Sequence, residues 1–92
     1  MNSPFVLDCS KRIATKLLAD EQLDNDRSRV QHAYRLLFSR PPRTGEETLA
    51  IAFLQAYPET LDELRDPQQR RLAAWTALCQ TLVVSNDFVY VT

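Results

Sequence analysis

LLFSRPPRTGEETL, residues 36–49, decides how this 92-residue chain is built. Pro41 disfavours the helical conformation at Arg40, and Pro42 does the same to Pro41, so a helix arriving through Leu36 and Leu37 has to stop. Thr44 then caps a new helix, with Glu47 three residues on at capping-box spacing and Glu46 placed to favour the positive end of the helix dipole. The stretch is a stop followed by a start. It does not read as a polyproline ligand, because a PxxP site sets its prolines three apart in an extended, exposed segment, whereas Pro41 and Pro42 are adjacent and hemmed between helices.

Upstream of the stop, Val30, Ala33, Tyr34, Leu37 and Phe38 follow the i, i+3, i+4, i+7, i+8 series of an amphipathic helix over about 27–39, with Asp26 as its cap. Earlier still, Ser3 and Pro4 are a cap and a first-turn proline, opening a helix over 4–19. Its stripe of Phe5, Val6, Cys9, Ile13, Ala14, Leu17 and Leu18 is expected to face inward, with Asp8, Lys11, Arg12 and Lys16 in water. Downstream, Leu49, Ala50, Phe53, Leu54 and Tyr57 form the inner face of a helix over 45–57 that Pro58 ends. Residues 59–65 read as a loop with one helical turn. Asp66 and Pro67, with Gln69 at capping-box position, then start a fourth helix over 67–84 carrying Leu72, Trp75, Leu78, Cys79, Leu82 and Val83. Residues 88–92 are β-branched and aromatic and are expected to form an extended tail packed back through Phe88 and Tyr90. The fold class that follows is all-α, a four-helix bundle or orthogonal four-helix array in a single domain over 1–92.

Composition agrees with an ordinary globular domain: 45% hydrophobic and 25% charged residues, enough at this length to bury about 60 to 70% of the unfolded surface without metal or disulfide staples. No run approaches the roughly 20 apolar residues of a membrane span, and the N-terminus lacks the pattern of a signal peptide. The net charge of −1 argues against phosphate neutralisation along a duplex. Its distribution is uneven, however. Residues 26–43 hold five arginines and one acid, and residues 44–66 hold six acids and one arginine, so successive antiparallel helices of opposite sign are expected to match each other.

Catalytic and metal-binding classes find little support. The acidic connector around Asp20, Asp24 and Asp26 resembles a calcium loop only in composition, since Arg29 stands where the turn glycine belongs and Arg35 where the bidentate glutamate belongs. His32, the lone histidine, falls near the edge of the second helix's stripe, and one imidazole is too few for a typical zinc site without both thiols. Cys9 and Cys79 match no CxxC spacing, which leaves buried thiols, a disulfide joining the first and last helices, or a reactive thiol. The single glycine excludes a phosphate-cradling loop. Helices two and three mimic a helix-turn-helix in outline, yet the presumed recognition helix would lead with Glu46 and Glu47, which repel phosphate.

Several pieces together resemble the C-terminal part of the planctomycete-specific PSD-one domain, a domain of unknown function in large secreted proteins. They are Asn2-Ser3-Pro4-Phe5-Val6, Ala33-Tyr34-Arg35-Leu36, Ser39-Arg40-Pro41-Pro42 with Glu46-Glu47, and Ala74-Trp75 through Leu78-Cys79-Gln80 to Ser85-Asn86-Asp87-Phe88-Val89-Tyr90-Val91. Asp87, Gly45 and Val83-Val84 depart from that pattern at packing and capping positions. The resemblance implies a fragment of a larger protein with further domains upstream, and a periplasmic or extracytoplasmic location. It supplies no catalytic residue.

The expected function is a non-enzymatic structural or protein-interaction domain, monomeric, whose partners are other domains of the parent protein. Arg27, Arg35, Arg40, Arg43, Phe88 and Tyr90 are the candidate contact residues. No cofactor, metal ligand or catalytic residue is assigned. The alternatives are one wall of an active or redox site completed by upstream domains, and a small helical nucleic-acid-binding module.

Overall fold

The computed structural model describes residues 4–91, with side chains described within 4–85. Among these residues the chain forms α1 (Pro4–Ala19), α2 (Asp26–Phe38), α3 (Thr44–Ala56), a 3-10 turn (Tyr57–Thr60) and α4 (Pro67–Val91), and no strand. This is the all-α helical bundle that the periodicities imply. The Ser3 cap and the side chains of Phe88 and Tyr90 lie outside the described residues.

The helix boundaries follow from local chemistry. Asn25, one residue before the expected cap Asp26, starts α2 with its Oδ1 accepting the Ser28 N–H at 2.8 Å. Asp26 is instead the first helical residue, because its carboxylate is engaged by two guanidiniums, stronger partners than one amide. Ser39 ends α2 in the left-handed conformation at φ 58°, donating its N–H to the Arg35 carbonyl. At α4, Asp66 Oδ1 accepts the Gln68 N–H at 3.0 Å, the cap the sequence implies. The expected extended tail is instead helix as far as Val91. A lone strand has no ladder to join, whereas continuing the helix satisfies each backbone N–H within the chain at a propensity cost of a few tenths of a kcal/mol per residue, about the spread among ordinary residues.

α4 is the axis of the molecule and touches every other element. The end of α1 (Thr15, Leu18, Ala19) lies beside the start of α4 (Gln68, Arg71, Leu72), and its start (Leu7) beside residues further along α4 such as Thr76 and Gln80, so the two run antiparallel. The buried line of α1 is Val6, Ser10, Ala14 and Leu17, one position round from the expected line led by Phe5 and Cys9. Phe5 points to solvent and Cys9 is half-buried. Small residues explain the rotation. Ser10 and Ala14 let α1 approach α4 closely, and the buried Ser10 hydroxyl is satisfied by donating to the Val6 carbonyl at 2.7 Å.

The core gathers Leu17, Val30, Ala33, Tyr34, Leu54, Leu78, Cys79 and Leu82 around Trp75, whose exposure is 0%. Among the described residues the Trp75 Nε1 donor has no hydrogen-bond partner, and packing holds its indole. Leu49, expected on the inner face of α3, is 73% exposed. Trp75→Ala should lower the unfolding free energy by about 3–5 kcal/mol, whereas Leu49→Ala should change it by no more than about 0.5 kcal/mol. Urea denaturation followed by far-UV circular dichroism measures both, and equal effects would contradict the core described here.

Candidate functional site

Two charge clusters organise the ends of the helices. At the first, the Arg29 Nε donates to the Leu17 carbonyl, an orphan acceptor at the end of α1, at 3.3 Å. The same guanidinium meets Asp26 at 3.0 Å, and Asp26 also receives Arg71 of α4 at 2.7 Å. One carboxylate therefore ties α1, α2 and α4 together. Burial pushes the Asp26 carboxyl up, but the Arg71 and Arg29 guanidiniums outweigh it and leave the group below its ordinary value. The side chain of Arg29 is only 13% exposed, so these acceptors replace the water that burial removes from its guanidinium.

The second cluster joins α2 to α3 through the two-proline turn. Arg40 grips both oxygens of Glu46, at 2.8 and 3.0 Å, and its guanidinium lies 5.7 Å from the Tyr34 ring centre and 5.6 Å from that of Phe38. Glu46 Oε1 also accepts the Arg43 N–H at 2.8 Å. The helix start is thus Arg43 with Glu46, one residue before the expected Thr44 and Glu47. Only the returning half of a capping box is made, since an arginine side chain has no acceptor to offer. The Arg40 hydrogen bonds, then the Arg43 amide, bring the Glu46 carboxyl down to about 2.

The expected match between basic and acidic segments is present, in a different register from the antiparallel one. Arg27 in the first turn of α2 lies 3.0 Å from Glu47 in the first turn of α3, at an angle that makes an ion pair without a hydrogen bond. An antiparallel hairpin would put the end of α3 there. Of the candidate contact arginines, Arg27 and Arg40 are thus engaged internally, while Arg35 and Arg43 are exposed and, among the described residues, hold no carboxylate in an ion pair.

Cys9 and Cys79 are both free thiols, with no disulfide between α1 and α4. Cys79 is fully buried and its thiol is pushed up to about 12 by desolvation. Cys9 opens instead into a groove of about 450 Å³ between α1 and α2, lined also by Arg12, Ile13, Lys16, Asp20, His32 and Leu36. Leu36 is 59% exposed there. Leu49 opens on a second groove with Tyr34, Phe53 and Leu82, and Leu7 on a third with Tyr57, Leu64 and Leu72. The sequence reading assigned no role to these leucines in contact surfaces. Leu36 and Leu7 are apolar residues outside the assigned inward stripes, which is the signal that singles them out. Among the described residues no group of three or more His, Cys, Asp or Glu side chains converges as a metal site, and no helix is long and apolar enough to cross a membrane. No family model, curated protein or solved structure matches the chain.

Both charge clusters have measurable consequences. Asp26→Ala should cost about 1–3 kcal/mol, because it strands the half-buried Arg29, whereas the exposed Arg71→Ala should cost about 1 kcal/mol or less. Chemical denaturation of the two variants compares them. For Glu46, whose folded value lies below its unfolded one, the contribution to stability is complete above the ordinary 4.5 and is lost as pH falls toward about 2. Glu46→Gln should therefore lower the melting temperature at neutral pH and flatten its decline through that acid window. A profile that keeps the wild-type shape would refute the Arg40 clasp as its cause.

Proposed function

We propose that this chain is a non-enzymatic interaction domain that docks against other parts of a larger secreted polypeptide. The observation that supports the reading is the placement of its exposed leucines. Leu7, Leu36 and Leu49 are each at least half exposed, and each lines an open interhelical groove in which further apolar side chains are present. Singly scattered apolar residues need no explanation, but leucines continuous with apolar grooves are the usual make-up of a contact surface.

The resemblance to the PSD-one domain points the same way, since it implies neighbouring domains in one extracytoplasmic protein. Arg35 and Arg43 are the arginines still available to a partner, while Arg27 and Arg40 act in holding α2 to α3. A role as one wall of an active site would need a convergent polar cleft, and the described grooves are mainly apolar.

An amide-resolved NMR titration of the domain with the polypeptide encoded immediately upstream of it in the parent protein tests the proposal. A contiguous set of shifts around Arg35, Arg43 or one of the leucine grooves is expected. If no amide moves at high concentration, docking within the parent chain is wrong.

A further inference from the structure

We propose that the groove between α1 and α2 receives an acidic amphipathic helix from a partner polypeptide. This rests on the interaction reading above and adds to it the surface and the chemistry of its occupant. Three features of the groove carry it.

The first is shape. The groove follows α1 from Cys9 to Asp20, about 16 Å at the α-helical rise, or some three turns. A small ligand lying along an open trough of that length would leave much of its surface in water, whereas small-molecule sites bury most of theirs. A helix laid lengthwise uses such a trough well, through anchors at i, i+3 or i+4, and i+7.

The second is the floor. Ile13 and Leu17 form its base, and Leu36 stands at its wall 59% exposed, an apolar side chain whose solvent-facing area would be removed by a partner. Burying a leucine side chain from water is worth about 1.5–3 kcal/mol, so one anchor of this kind sets register.

The third is charge. Its lining carries Arg12 and Lys16, and Arg35 is exposed one residue from Leu36. Against these stand Asp20 at one end and Asp8, which meets Arg12 at 3.2 Å in a pair where both side chains are largely in water. Such an exposed pair is worth little and exchanges readily for a partner carboxylate. The Leu49 groove offers only Glu46, already held by Arg40, the Leu7 groove offers Lys11 as its sole charged lining residue, and the arginines of the groove beside Trp75 are engaged within the domain, Arg70 by the Leu64 carbonyl and Arg71 by Asp26. Acidic residues flanking an apolar stripe are therefore the complement that the α1–α2 groove selects.

The cysteines supply the readout. Cys9 lines the groove, whereas Cys79 is fully buried and serves as an internal monitor of unfolding. The probe is a capped helical peptide of about four turns, with leucines at i, i+4 and i+7 flanked by glutamates, and a control with lysines in place of the glutamates. At saturation the glutamate peptide should slow alkylation of Cys9 by iodoacetamide about tenfold, with Cys79 unreactive throughout. Lys16→Glu and Leu36→Ser, both at exposed positions, should each weaken its binding about tenfold, the scale of losing one anchor or reversing one contact charge. Leu49→Ser should leave binding unchanged.

Equal protection by the lysine peptide would overturn the proposal, as would protection of Cys9 by dodecanoate where the glutamate peptide gives none. Amide shifts mapping to the Leu7 or Leu49 groove would overturn this assignment while leaving the interaction reading in place. Absence of shifts with both the peptide and the upstream polypeptide would end both.

Discussion

Helices of 13 residues, the length of both α2 and α3, are marginal in isolation, so their existence depends on what they pack against. That support is α4, and within α4 it is the fully excluded indole of Trp75. Trp75 belongs to a core to which α1, α2 and α3 also contribute buried side chains, and its N–H finds no hydrogen-bond partner among the described residues, so the core carries the cost of a buried donor along with its largest apolar side chain. α1 closes over the same axis from the other side, and can do so because Ser10 and Ala14 are small.

The ion pairs act on this arrangement as orientation devices. Hydrophobic contact is non-directional and would permit α2 and α3 to slide, whereas Arg40 on both oxygens of Glu46, and Arg27 at Glu47, fix where α3 begins relative to α2. Asp26 does the same for the junction of α1, α2 and α4. Most of these pairs are partly exposed, so geometry is a larger part of their contribution than energy.

The sequence disclosed the helices and their starts to within a residue, because prolines and capping side chains act locally. Pro41, Pro42, Pro58 and Pro67 punctuate the chain whatever the tertiary structure does. What remained illegible was the rotation of α1 and the register of α2 on α3. A stripe that includes Phe5, Val6 and Cys9 fits two neighbouring faces equally well by periodicity, and only the closeness of α4 favours the line through Ser10. Opposite charges in successive segments imply attraction but not which turn meets which, and in the fold the first turn of α2 meets the first turn of α3 through Arg27 and Glu47. The extended tail failed for a related reason: β propensity expresses the fit to a sheet, and the described residues form none.

The same economy explains why contact surface is left over. The acids nearest the start of α3 and at the start of α2 are consumed by arginines inside the domain, at Glu46, Glu47 and Asp26. Among the cations of α1, Arg12 meets only Asp8 of its own helix in an exposed pair, and the described residues of α4 that face α1 are apolar or uncharged apart from Arg71, which Asp26 holds. Arg12 and Lys16 therefore stay at the rim of a groove whose floor is apolar. A domain whose own charges were fully matched would present a neutral surface to any neighbour. At the α1–α2 seam an exposed leucine stands beside cations that no other helix of the described residues matches.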